Sequence, residues 1–166
     1  MRKKTVMLGF LLAVSMILSY IESIFPLAIG IPGVKLGLPN LIVVLLLSVY
    51  GGREALTVNV FRIVLTGFLF GNLYAVLYAL AGAACSFCAM FLFQKTGRFS
   101  IIGISVGGGV FHNVGQLLVA MAVVETFAPA FYFPFLLCAG VFTGFVIGIV
   151  AKRVLPYLER ITKMQE

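Results

Sequence analysis

The chain has 166 residues, 62% of them hydrophobic and 10% charged, with a mean hydropathy of +1.17. A soluble domain of this size could not hide that much apolar surface, so the composition excludes a water-soluble globular enzyme and implies an all-α integral membrane bundle, one domain spanning residues 1–166. The formal net charge of +7 raises the question of a nucleic-acid partner, and the placement of the basic residues answers it below.

The first apolar run, Met7 to Phe25, follows Arg2, Lys3 and Lys4. That order also describes a cleaved secretory signal. No run of small residues resembling AxA closes the stretch, and Pro26 with Gly30 ends it as a retained helix. Gly9 and Ala13 make a small-residue stripe on it, suited to internal packing or to a partner subunit. Pro26 to Asn40, PLAIGIPGVKLGLPN, holds three Pro and three Gly and cannot continue a helix. It reads either as a connector or as an ordered outer loop over a site, with Lys35 and Asn40 as its polar groups.

Leu38 to Tyr50 and Ala55 to Phe70 follow. At 1.5 Å per residue these give roughly 20 and 24 Å of helix against a hydrocarbon core of about 30 Å, short for full crossings. Leu73 to Phe93, Ile101 to Val124 and Phe133 to Leu155 complete six expected transmembrane helices, and the segment from Leu155 to Glu166 reads as a short solvated end. Glycines four apart, at 67 and 71, 103 and 107, and 140, 144 and 148, predict close helix packing. Cys85 and Cys88 form a CxxC inside a helix with no second pair nearby, which reads as packing rather than metal or redox chemistry.

Six crossings with a cytoplasmic N-terminus put ten basic residues inside, including Arg53, Lys95, Arg98, Lys152, Arg153, Arg160 and Lys163. This is the positive-inside pattern of a multi-pass cell-membrane protein with both termini cytoplasmic. The basic residues then meet anionic lipid head groups and form no nucleic-acid surface.

Four polar side chains interrupt the apolar runs: Arg62 in the third, and His112, Asn113 and Gln116 in the fifth. A charge at bilayer mid-depth costs roughly 2.5–3.5 kcal/mol on insertion scales, so such groups need a partner or a polar cavity. Arg62 and His112 each lie near the middle of their helix, Asn59, Arg62 and Thr66 share a stripe, and His112 and Gln116 share a face at i and i+4. With Glu22, Lys35, Asn40, Asn72 and Glu125 toward the outer side, they predict an outward-opening pocket floored near the midplane. The bland alternative is a set of interhelical hydrogen bonds and an internal ion pair.

The chain contains no Asp, no GxxxxGK(S/T) loop and no HExxH. ATP hydrolysis by the chain alone, typical metal hydrolysis and aspartate-dependent prenyl diphosphate chemistry are therefore not expected, and no cofactor or metal is implied.

KLGLPN at Lys35 to Asn40, GGREAL at Gly51 to Leu56, FRIVLTGFLFG at Phe61 to Gly71 and HNVGQLLVA at His112 to Ala120 resemble the Gx transporter family, often labelled heptaprenyl diphosphate synthase component I. That family resembles the substrate-binding S components of energy-coupling factor transporters. The resemblance implies six helices, an outer loop over the substrate, Gly9 and Ala13 as docking positions for energy-coupling transmembrane and ATPase subunits, and a pocket lined by Lys35, Asn40, Arg62, His112, Asn113 and Gln116. It leads to a non-enzymatic protein that captures a small polar or anionic molecule for uptake. The alternatives are a membrane subunit of prenyl diphosphate or quinone synthesis, or a membrane component of a flavin- or quinone-linked electron-transfer system.

Overall fold

The computed structural model describes residues 2–24 and 37–164, which form six α-helices and one short 3-10 segment. The helices are α1 (Arg2–Ile24), α2 (Asn40–Val49), α3 (Gly52–Phe70), α4 (Leu73–Thr96), α5 (Ile101–Val124) and α6 (Phe133–Lys163), with the 3-10 turn at Ala128–Tyr132 between the last two. Local chemistry sets several of these bounds. Asn72 accepts a hydrogen bond from Ala75 N at 2.8 Å and Ser100 one from Gly103 N at 3.3 Å, capping α4 and α5. Gly97, with φ of +66°, ends α4 in the left-handed conformation glycine tolerates best.

The second apolar run becomes the centre of the bundle. Ile42, Val43, Val44, Leu45, Leu46 and Leu47 are consecutive and all buried, as a helix apolar on every side must be in a packed core. At ten residues, α2 is about 15 Å long and does not match the roughly 30 Å hydrocarbon thickness. Four segments are long and apolar enough to cross a membrane: α1, α4, α5, and α6 together with the turn before it. α3 has comparable length but carries Arg53, Glu54 and Arg62.

Glycine packing is tightest between α5 and α6. A Cβ at Gly144 would stand 2.6 Å from Val106 Cα and 2.7 Å from Ser105 O, and one at Gly140 would stand 2.9 Å from Gly109 O. Those backbones meet almost directly.

One end of the bundle gathers basic residues and is fastened by polar contacts. Lys4 Nζ lies 2.6 Å from Glu54 Oε1, Tyr50 Oη lies 3.1 Å from Thr162 Oγ1, and Gln94 Nε2 donates to Leu47 O at 3.0 Å. These bonds bring the starts of α1 and α3 together with the ends of α2, α4 and α6. The end after Leu155, expected to be solvated, is largely exposed at Pro156, Tyr157, Glu159, Arg160 and Lys163, and it is helical, because α6 continues through Pro156 to Lys163. Leu158 is buried against the α2 cluster, and that packing together with the Tyr50 bond keeps the extra turns helical.

Candidate functional site

Away from the basic end, five helices converge on a cavity of about 160 Å³. α1 supplies Ser19 and Glu22, the start of α2 supplies Asn40, α3 supplies Arg62 and Thr66, α4 supplies Ala75 and Ala79, and α5 supplies His112 and Gln116. Side chains four apart on α5 project to one face, and a matching stripe on α3 faces them. Small residues on α4 leave the space between.

Arg62 is 8% exposed. Its Nη2 donates to Asn59 Oδ1 at 2.6 Å, and its Nη1 reaches Ser19 Oγ at 3.5 Å. Thr66 Oγ1 donates to Arg62 O at 2.7 Å, which fixes the stripe along α3. Arg62 Nε is buried with no hydrogen-bond partner among the described residues. An unsatisfied buried donor costs roughly 1–3 kcal/mol, more on a charged group.

Glu22 is the acidic member of this cavity. Its carboxylate accepts a hydrogen bond from Gly37 N and acts electrostatically on Arg62. The cavity thus contains one guanidinium and one carboxylate together with His112, Gln116, Asn40 and the hydroxyls of Ser19, Ser23 and Thr66. Such a set can orient a small polar molecule or hold one oxyanion group, and it provides no carboxylate cluster for a divalent metal. Among the described residues there is no group of three or more His, Cys, Asp or Glu placed to bind a metal ion.

His112 and Gln116 owe their positions to Gly82 on α4. A Cβ at Gly82 would come 2.8 Å from His112 Cε1, 2.9 Å from His112 Nδ1 and 3.0 Å from Gln116 Cγ. Both side chains rest where any larger residue at position 82 would stand. Gly115 brings the α5 backbone equally close to Ala81 and Gly82.

The structure therefore brings together Asn40, Arg62, His112 and Gln116, while Asn113 goes elsewhere. Asn113 is buried, and its Nδ2 donates to Leu136 O on α6 at 2.7 Å. Lys35 lies outside the described residues. Asn72 and Glu125 sit at helix ends, Asn72 as the cap of α4 and Glu125 as the residue closing α5 with φ of +52°. Glu22, expected on the outer side, and Thr66, expected on the Arg62 stripe, both line the cavity, and Ser19 and Ser23 join them with no signal in the sequence to mark them.

On α1, Gly9 and Ala13 are exposed on a face shared with Val6, Phe10 and Ile17. A Cβ at Gly9 would meet nothing within 4 Å. Gly9 lines a hollow between α1 and α3 with Arg53, Thr57 and Phe61.

The sequence profile described as heptaprenyl diphosphate synthase component I matches residues 11–154. No curated protein and no solved structure matches.

Proposed function

The chain belongs to the heptaprenyl diphosphate synthase component I family, and we propose that it is a non-catalytic membrane subunit of a prenyl diphosphate-forming system whose Arg62 cavity holds a small polar or anionic group. The family's name supports the setting. The observation that carries the binding role is Arg62 itself: a buried guanidinium lining a cavity with His112 and Gln116. In this reading Arg62 neutralises the ligand, while His112, Gln116 and Asn40 orient it. The basic end faces the cytoplasm with both termini, by the positive-inside rule. Catalysis belongs to a partner, because this chain has no Asp with which to hold a magnesium diphosphate.

Two measurements test this. Gentle extraction followed by native mass spectrometry should find a retained small molecule that Arg62→Ala loses while the protein stays folded; unchanged retention sinks the assignment. Co-purification with an isoprenoid synthase supports the setting.

A second reading, uptake in the manner of an S component, is favoured by the exposed Gly9 and Ala13 stripe, which leaves room for a partner helix to approach α1 closely. Co-purification with ATPase subunits, abolished by Gly9→Leu, would support it over the first.

A further inference from the structure

A second cavity, about 300 Å³, lies between α4, α5, the 3-10 turn and α6. Leu117, Ala120, Val124, Pro129, Tyr132 and Leu136 make its lining predominantly apolar. Leu117 and Leu136 pack together as a small core separate from the one around α2. Gln116 lines both this cavity and the Arg62 cavity. Its side chain is buried, so it stands in the wall between a charged compartment and an oily one.

The two compartments differ in what they can recognise. The first offers a guanidinium, several hydrogen-bonding groups and the Glu22 carboxylate, itself bonded by Gly37 N, within about 160 Å³. The second, Gln116 aside, offers chiefly hydrocarbon and ring faces. Small-molecule sites usually run from roughly 300 to 1,000 Å³. The polar compartment alone falls below that range, and the two joined fall within it. A small ion would leave the second compartment unused, and a purely apolar molecule would leave the polar lining of the first, Arg62, His112 and Asn40, without a polar ligand.

We propose that the two cavities form one site for a single-chain amphiphile, with an oxyanion head at Arg62 and an apolar tail along Leu117, Ala120 and Leu136, and that Gln116 marks the boundary between them. This rests on the oxyanion reading of the Arg62 cavity and adds the chemical class of the ligand. Gln116 offers an amide to the head while its methylenes line the passage to the tail. Chain length is then read by the second cavity and charge by the first.

The chain contains a single His, so isotope-labelled imidazole reports on the Arg62 cavity alone. The full chain in phosphatidylcholine nanodiscs is titrated with ethyl phosphate, decyl phosphate and decyltrimethylammonium while the His112 signal is followed. Decyl phosphate should bind at least tenfold more tightly than ethyl phosphate, since each buried methylene contributes roughly a factor of four. Decyltrimethylammonium, with the same tail and the wrong charge, should leave the signal in place.

Ala120→Phe fills the tail cavity, and Val124→Trp narrows it from the exposed end of α5. Each should cost decyl phosphate tenfold or more and leave ethyl phosphate unchanged, and the ethyl phosphate response shows that the variant is folded. Were Ala120→Phe to lose both responses, Val124→Trp decides. Full decyl phosphate affinity in the folded variants, or a His112 response to the cationic amphiphile, overturns the two-cavity site while leaving oxyanion binding at Arg62 standing. A His112 signal unmoved by either phosphate in the unmodified protein removes the oxyanion reading, and the amphiphile site with it.

Discussion

Gly82→Ala isolates the part of the site built by helix packing. The added methyl would lie 2.8 Å from His112 Cε1 and 3.0 Å from Gln116 Cγ. Ordinary carbon contacts are about 3.5–4.0 Å, so these atoms must retreat by roughly 0.5–1.2 Å. The obstacle is side chain rather than backbone, so χ rotation absorbs the strain at roughly 0.5–1.5 kcal/mol per displaced side chain. Stability should therefore fall by only about 1–3 kcal/mol, the range for mild overpacking. The retreat carries both side chains toward the cavity of about 160 Å³, so the imidazole signal should shift even without ligand. Denaturation in mixed micelles measures the first effect, and magnetic resonance of the labelled His112 the second. A folded Gly82→Ala protein with an unmoved His112 signal would refute the claim that Gly82 seats the ring.

Other substitutions should separate packing from binding. Gly144→Ala sets a methyl 2.6 Å from Val106 Cα, where backbone cannot yield, and should cost about 3 kcal/mol or more in micelle unfolding. Gly9→Ala meets nothing within 4 Å and should leave stability within about 1 kcal/mol of the parent, toward the stable side by helix propensity. Asn113→Leu removes the bond to Leu136 O and leaves that carbonyl without its amide donor, costing about 1–3 kcal/mol, with the His112 signal unmoved. Lys4→Met breaks a half-exposed ion pair with Glu54 and should change unfolding by about 1 kcal/mol or less.

The helices were legible because lipid-compatible composition leaves long apolar runs, and the polar exceptions within them stood out for the same reason. Arg62, His112 and Gln116 could be paired by period alone: four residues on a helix of 3.6 per turn return to within about 40° of the same direction. The period also shows why Asn113 differs. It lies about 100° around α5 from His112, and that turn points its amide to Leu136 O on α6 rather than into the cavity. The sequence says that Asn113 needs a hydrogen-bond partner, and only the position of α6 says which one.

The same distinction governs α2 and Glu22. Six consecutive apolar residues from Ile42 to Leu47 satisfy a lipid-facing helix and a wholly buried one equally well, and the choice falls to the neighbours that surround them. Glu22 lies on the last turns of α1, forty residues before Arg62 in sequence, and nothing local announces that α1 and α3 pack side by side. Once they do, the carboxylate faces the guanidinium across the cavity. Polarity in an apolar run thus identifies residues that require company. The helix contacts decide where that company is found: the Leu136 carbonyl on α6 for Asn113, and Asn59, Ser19 and a polar cavity for Arg62.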